Sequence, residues 1–491
     1  MNDKVLEAIY KEFPEVTNSI NESLFLRGEY SNSAFDKEFY EKLLKNNPIY
    51  VYGTGQTTDE LLRRIPYLNV KAFVDSFHCH EKERYLYYGE KYIPVIAPCE
   101  MEHGVYCIVS SIYYSEIKEK LEELGWSEGI DFISFQALLP TPGEMINKML
   151  CSEKITEWKC EYYKCTKRLQ RDGSVGFCMN TPWLYPANGN AFLQNFEDIK
   201  QSIRSRLIAI SIEQGIYCFC NKKRCAPLRK YTGMQGKGEH REYKSAIAAF
   251  DRTCNLQCES CRSERLSQDD KKVKYLEKYF RENFIEDADI INCAGEGEAL
   301  YSPAYKNIFE NCRGKDKALM VLSNGNLANI GNVDKLIEIS KGKLAFSISI
   351  DAAIKETYER LRIGGNYDIL YENLLNIGEQ VKQGKIKTLG LNYVISKKNL
   401  GEIKQFISEA KQIGADAINF TMIGNWGTFT EDEFTKIRVT DDYGNPIEEL
   451  NNLMEEIKKS ENDVKIYFCQ EYEYRAFINN KLLGEFIHGR A

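Results

Sequence analysis

The chain has 491 residues, 43% hydrophobic and 28% charged, with 65 Lys and Arg against 72 Asp and Glu for a net charge of -7. This is an ordinary globular composition, long enough for two to four domains of roughly 100–200 residues each, and it excludes a small disulfide-stapled scaffold. It also lacks the basic excess that wrapping a phosphate backbone requires, so no bulk nucleic-acid partner is expected. The opening MNDKVLEAIYKEF carries charge where a secretion signal places its apolar segment, and no uncharged apolar run approaches roughly 18 residues, so the reading is a cytoplasmic protein without a membrane span. A reducing cytosol keeps thiols free, so the grouping of the 16 cysteines needs another explanation than disulfides.

Residues 1–45 mix apolar and charged positions at helical spacing, broken by Pro14 and the polar NSINES stretch, and read as a helical segment. From Ile49 the pattern alternates. IYVYGTG reads as a buried strand entering a glycine turn, TTDELLRRI as a helix and VKAFVD as a second strand; YIPVIAP, VYCIVSS, YSEIKEKLEELG and DFISF continue the series, so residues 46–140 are expected to form an α/β domain. Gly53 and Gly55 open a G-x-G-x-x-T loop, and Asp75 ends the next strand where a dinucleotide-binding fold places a ribose-binding acid. Thr58 stands in place of the third glycine, and a tight turn without nucleotide also fits. His78, Cys79 and His80 alternate on a polar loop, a pattern more often solvated than metal-binding.

Residues 150–235 break the alternation and gather Cys160, Cys165 and Cys178, then Cys218, Cys220 and Cys225. Alternation returns with SAIAAF, DIINCAG, LMVLSNG, LAFSISID, TLGLNYVIS and AINFTMI, each separated by a helix-length segment. Six such repeats predict an α/β fold with a partial (β/α)6 parallel barrel over residues 243–470, whose chemistry belongs at the carboxyl ends of the strands.

Just past the first of those strands, DRTCNLQCESCR places Cys254, Cys258 and Cys261 in a C-x3-C-x2-C array. Three thiolates on one short loop can hold three irons of a four-iron cubane and leave the fourth without a protein ligand. A zinc site would want four ligands in C-x2-C pairs, often with His, and no second pair follows this loop in the barrel. Buried structural thiols fit poorly with the polar residues around the array.

The array and the segments after it, over residues 243–425, resemble the radical S-adenosylmethionine (SAM) superfamily. The resemblance implies a 4Fe-4S cluster on Cys254, Cys258 and Cys261. AGEGEAL is similar to the family's Gly-Gly-Glu segment, so Gly297 and Glu298 would receive the amino group of SAM, and SNG would bring Asn324 near the ligand. Ser349 and Asp351 in SISIDA resemble residues near the sugar and carboxylate, Arg362 would neutralise that carboxylate, and Asn392 would add a polar contact. Ser260 departs from the family, which has an aromatic residue before the last cysteine.

Gly173, five residues before Cys178, and the stretch RSRLIAISIEQGIYCFCNKKRC resemble the SPASM auxiliary-cluster region, although that region usually follows the barrel and here precedes it. This implies a second iron-sulfur cluster on Cys178, Cys220 and Cys225 with either Cys160 or Cys165, with a four-cysteine zinc site as the competitor. The family chemistry is reductive cleavage of SAM to a 5'-deoxyadenosyl radical that removes hydrogen from a substrate carbon, fed by an electron donor such as flavodoxin or ferredoxin. Residues 46–140 resemble Rossmann-like modules of sugar-modifying and polysaccharide enzymes, which implies a carbohydrate or nucleotide-linked sugar as substrate. The alternatives are a peptide maturase and a non-catalytic iron-sulfur or zinc protein.

Overall fold

The structure, a computed structural model, describes residues 3–12 and, apart from short stretches, 48–228 and 243–483. His78, Cys79, His80, residues 294–296 and most of the amino-terminal helical segment lie outside the described residues. The chain divides into two units, one of residues 1–164 with 172–241 and one of residues 165–171 with 242–491.

In the first unit, strands β1 (Ile49–Tyr52), β2 (Val70–Val74), β3 (Tyr85–Tyr88), β4 (Lys91–Ile96), β5 (Tyr106–Val109) and β6 (Phe132–Ser134) form a sheet in the order β3-β4-β2-β1-β5-β6. All neighbours run parallel except β3, which pairs antiparallel with β4 at the edge. Consecutive apolar residues form β1, β2 and β5 because both faces of these strands are covered. Ile49, Val51 and Ile108 enter one core, while Tyr50, Tyr52 and Val109 enter another. Gly53 is required where it stands: its φ is +126°, and a Cβ there would lie 2.3 Å from the carbonyl oxygen of Ser110. Helix α1 (Gln56–Arg64) follows, capped by Gly55 without a side-chain hydrogen bond. Asp75 is engaged by its own loop, accepting from Thr54 Oγ1 at 2.5 Å.

Strand β7 (Thr166–Gln170) belongs to the second unit, whereas β8 (Ser174–Gly176) and β9 (Gly189–Asn190) pair antiparallel in the first, which also holds helix α2 (Ile203–Glu213). The cysteine-rich stretch is therefore divided between the units, because Thr166–Gln170 pairs in parallel with a strand that begins at Ser245.

The second unit aligns β7 with β10 (Ser245–Ala249), β11 (Ile290–Cys293), β12 (Ala318–Ser323), β13 (Leu344–Ser349), β14 (Thr388–Ile395), β15 (Ala417–Met422) and β16 (Lys465–Phe468). These strands run parallel, in the order β16-β15-β14-β13-β12-β11-β10-β7. Parallel neighbours need crossovers, and helices such as α3 (Ile330–Ser340), α4 (Lys355–Leu361) and α5 (Tyr367–Lys382) supply them.

Helix α6 (Glu471–Leu483) packs on the strands through Tyr474, Ile478 and Leu482, against Ile290, Ala318, Ala345 and Ala417. Small strand residues make room for it. At Gly390 a Cβ would lie 2.2 Å from the Tyr474 hydroxyl oxygen. Gly390→Ala is expected to lower the stability of the protein by about 1–3 kcal/mol through overpacking, read as the shift of the urea midpoint, and Tyr474→Phe in the same background should restore part of it.

Candidate active site at the carboxyl ends of the parallel strands

The loop that carries Cys254, Cys258 and Cys261 leaves β10 through a fixed corner. Asp251 Oδ1 accepts the Thr253 amide at 2.9 Å, and its Oδ2 accepts Ser302 Oγ at 2.5 Å. The Asp251 amide donates to the Tyr305 hydroxyl at 3.0 Å. Further along, the amides of Gln257 and Glu259 donate to the carbonyls of Ile363 and Leu361 at 2.9 and 3.0 Å, and the Cys261 amide closes a turn on the Cys258 carbonyl at 3.0 Å. Cys254 and Cys258 are partly buried and Cys261 is exposed.

Among the described residues no three His, Cys, Asp or Glu side chains converge as a single metal ion would require. A Zn–S length of about 2.3 Å would draw thiolates to about 3.8 Å from one another; a cubane seats each thiolate on its own iron and spaces them more widely.

Gly297 lets the loop after β11 touch the cysteine loop, since a Cβ would lie 2.4 Å from the Asp251 carbonyl oxygen. The next residue, Glu298, donates its amide to the Thr253 carbonyl at 2.9 Å. Its carboxylate is 2% exposed and accepts Ser323 Oγ at 2.7 Å, the Asn324 amide at 2.6 Å and the Leu300 amide at 3.0 Å. Burial raises its pKa, and these donors oppose the rise. Glu298 thus fastens the ends of β10, β11 and β12 together. Asn324 in turn donates to Asn255 Oδ1 at 2.9 Å and lies 3.9 Å from Cys254 Sγ.

Asp351 follows β13 with φ at +65°, a left-handed conformation that costs residues other than glycine and that aspartate adopts when its side chain is bonded locally. Its surroundings over-determine it: Oδ1 accepts the Val394 amide at 2.7 Å, the backbone carbonyl accepts Asn399 Nδ2 at 2.7 Å, and Oδ2 meets Arg362 Nη2 at 2.6 Å. Arg362 caps α4, and its Nη1 lies 3.7 Å from Cys258 Sγ. Burial alone would oppose its charge, but Asp351 and Cys258 hold its pKa above the ordinary arginine value. Conversely, burial raises the Cys258 thiol while Arg362 pulls it back. The Nε of Arg362 is buried without a hydrogen-bond partner.

The structure therefore brings Cys254, Cys258, Asn324, Asp351, Glu298 and Arg362 into one connected set. Ser349 ends β13 half-buried, in register with Asn392. Asn392 is occupied on both sides, donating to Ser347 Oγ at 2.7 Å and accepting from Asn419 at 3.2 Å. Ser260 is half-buried in the turn between Cys258 and Cys261. Sequence reasoning missed Asp251, Asn255, Asn399 and Glu402, whose carboxylate accepts the Ala353 and Ile354 amides at 2.9 and 3.0 Å behind the Asp351 turn. The one sequence cue was a polar residue just beyond a strand, which holds for Asp251 alone.

The first unit holds Cys160, Cys178, Cys218, Cys220 and Cys225. Burial pushes the Cys220 thiol well up, and the charges of Cys178, Cys160, Cys225 and Cys218 add to the rise. Cys218 has a different environment, with its Sγ 3.3 Å from Ser211 Oγ in the core. Cys165 stands at the start of β7 in the other unit, where its carbonyl accepts the Ser245 amide. Tyr163, near the same thiols, is fixed by accepting from Asn188 Nδ2 at 2.9 Å and donating to the Ser205 carbonyl at 3.1 Å.

No family model matches the sequence, and no curated protein is similar to it. Among solved structures, Streptococcus suis SuiB bound to S-adenosylmethionine is similar at 13% identity and a TM-score of 0.33, over 46% of this chain and 47% of that one. The same protein bound to precursor peptide SuiA gives 14% and 0.37, over 60% and 70%. Native anSMEcpe with bound AdoMet and Cp18Cys peptide gives 17% and 0.33, over 45% and 62%. The chain thus spans about half the length of the SuiB chain in the first of these. Likeness at this level leaves the activity to be read from the chain's own residues. No helix among the described residues is long and apolar enough to cross a membrane.

Proposed function

We propose that the chain is a radical SAM enzyme in which Cys254, Cys258 and Cys261 hold a 4Fe-4S cluster, the parallel sheet of the second unit being the family's partial barrel. One observation carries this reading: three thiols share a single loop at the strand ends, and one of them, Cys258, has its Sγ 3.7 Å from Nη1 of the buried Arg362, whose Nε has no partner. A three-thiol donor set suits a cubane with one open corner, and an orphaned buried Nε suits an incoming carboxylate, so the residues present fit both groups.

When bound, the cluster and SAM together supply a 5'-deoxyadenosyl radical able to take hydrogen from an unactivated carbon. The chain's residues bind and hold. Arg362 offers Nε to the SAM carboxylate and keeps its orientation through Asp351; Glu298 keeps three strand ends in register; Gly297 allows the close approach of the two loops. Ser349, Asn324 and Asn392 are the further polar groups assigned to SAM, and an external one-electron donor such as flavodoxin or ferredoxin is required. The sheet of the first unit is read as Rossmann-like.

A second cluster is proposed in the first unit on Cys160, Cys178, Cys220 and Cys225, supported by their place in one unit and by the charge effects of the other three on Cys220. Reconstituted anaerobically, the protein should hold about eight irons per chain for two cubanes and release 5'-deoxyadenosine from SAM under strong reduction. Cys160→Ala should lower the iron by about four atoms, while Cys165→Ala leaves it unchanged; the opposite result would reassign the fourth ligand. Zinc at the Cys254 loop, or no nucleoside release, would remove the reading.

A further inference from the structure

The strand face that receives α6 changes character along its length. At the amino ends it is apolar: Ile290, Ala318, Ala345 and Ala417 pack on the helix. Two residues further on, still on that face, stand Asn292 on β11, Ser347 on β13 and Asn419 on β15, and Asn392 on β14 is in register with Asn419. Parallel strands covered on both faces ordinarily carry Val, Ile and Leu at such positions.

This layer is buried but incompletely bonded. Asn292 is 5% exposed and Asn419 is 4% exposed. Asn419 Nδ2 donates to Asn392 at 3.2 Å, Asn392 Nδ2 donates to Ser347 at 2.7 Å, and the Ser347 and Tyr474 hydroxyls meet at 2.8 Å. Asn292 Nδ2 reaches the Met320 sulfur at 3.4 Å. The Oδ1 atoms of both Asn292 and Asn419 have no hydrogen-bond partner. Leaving two buried acceptors unsatisfied is costly, whereas an apolar side chain of similar size there would not be.

Beyond the layer, toward the cysteine loop, the same face opens: Leu322, Ser349, Val394 and Thr421 are all partly exposed, while Ile348, Tyr393 and Phe420 on the other face are buried. From β10 to β15 this face carries no Asp, Glu, Lys or Arg. Without a carboxylate, a buried ammonium would have no countercharge, so the donors that match Asn292 and Asn419 are uncharged. The hydroxyls of Ser349 and Thr421 above them can both give and receive, and so can the hydroxyls of a ligand.

We infer that the carboxamides of Asn292 and Asn419 form the floor of a substrate subsite for a neutral, hydroxyl-rich small molecule. The inference rests on the proposed function for the reaction carried out there, and on the sheet face alone for binding. It is tested by calorimetry of the anaerobic, SAM-loaded holoenzyme with a panel of neutral monosaccharides and cyclitols, beside a glutamine-containing and a leucine-containing tripeptide. At least one polyol should bind, and Asn292→Leu and Asn419→Leu should each weaken it tenfold or more. Asn292→Leu should also keep or raise the melting temperature of the ligand-free protein, because it removes an unsatisfied buried acceptor; it keeps the test open where loss of the Asn392 partner unfolds the Asn419 variant. Binding of the tripeptides without any polyol, no binding from the panel, unchanged polyol affinity in the variants, or a lower melting temperature for Asn292→Leu would each overturn it. Iron content and 5'-deoxyadenosine release by the unsubstituted enzyme report on the proposed function separately.

Discussion

Cys258→Ala is expected to lose about four irons per chain relative to the unsubstituted protein and to reduce 5'-deoxyadenosine release to background, measured by iron assay and chromatography after anaerobic reduction. Cys258 is the most revealing of the three because it touches both halves of the site: its sulfur lies 3.7 Å from Arg362, and the residues flanking it are pinned by the Ile363 and Leu361 carbonyls. The loop backbone has its own partners, so the variant should fold, and far-ultraviolet dichroism should match that of the parent. Unchanged iron would show that the thiols at residues 254–261 are structural.

Asp351→Ala carries the other large effect. The ion pair with Arg362 is buried, with side-chain exposures of 9% and 12%, so removing one partner leaves a charge without compensation. A loss of about 3–5 kcal/mol is expected in denaturant unfolding. Two further variants separate the causes. Asp351→Gly removes the same charge but also the cost of the left-handed backbone at φ +65°, and should be less damaging than alanine by about 1 kcal/mol. Adding Arg362→Met to Asp351→Ala should recover part of the loss, because no unpaired charge remains. If the double variant is no better than Asp351→Ala, the pair is not the source of the loss.

What could be read from the sequence follows from which forces are local. LAFSIS, TLGLNYVI and AINFTM announce buried parallel strands by apolar runs between helix-length segments, and all three are strands of the second unit. TKRLQ at Thr166–Gln170 gave no such signal, because Lys167 and Arg168 interrupt its apolar run; only its pairing with Ser245–Ala249 defines it. YLYY at the antiparallel edge of the first sheet was overlooked for a similar reason, having only Leu86 and Tyr88 packed inward. The cysteine loop was legible because its three thiols lie within one short stretch of the chain. The partners of Glu298 were not, since Ser323 and Asn324 come from the next strand and only the register of β11 against β12 brings them over. Cys160 and Cys165 are equivalent in spacing arguments; in the structure Cys160 adds to the rise at Cys220, while Cys165 begins β7 in the other unit.

That division also constrains how the chain can be cut. Thr166–Gln170 is hydrogen-bonded beside Ser245–Ala249, although residues 172–241 of the other unit lie between them in sequence. A fragment started at residue 243 would expose the backbone amides and carbonyls of Ser245–Ala249 as an unprotected sheet margin, a ready template for intermolecular pairing and aggregation. Neither unit can therefore be excised as one continuous piece, and limited proteolysis anywhere in residues 172–241 leaves the second unit's outermost strand attached to the amino-terminal fragment.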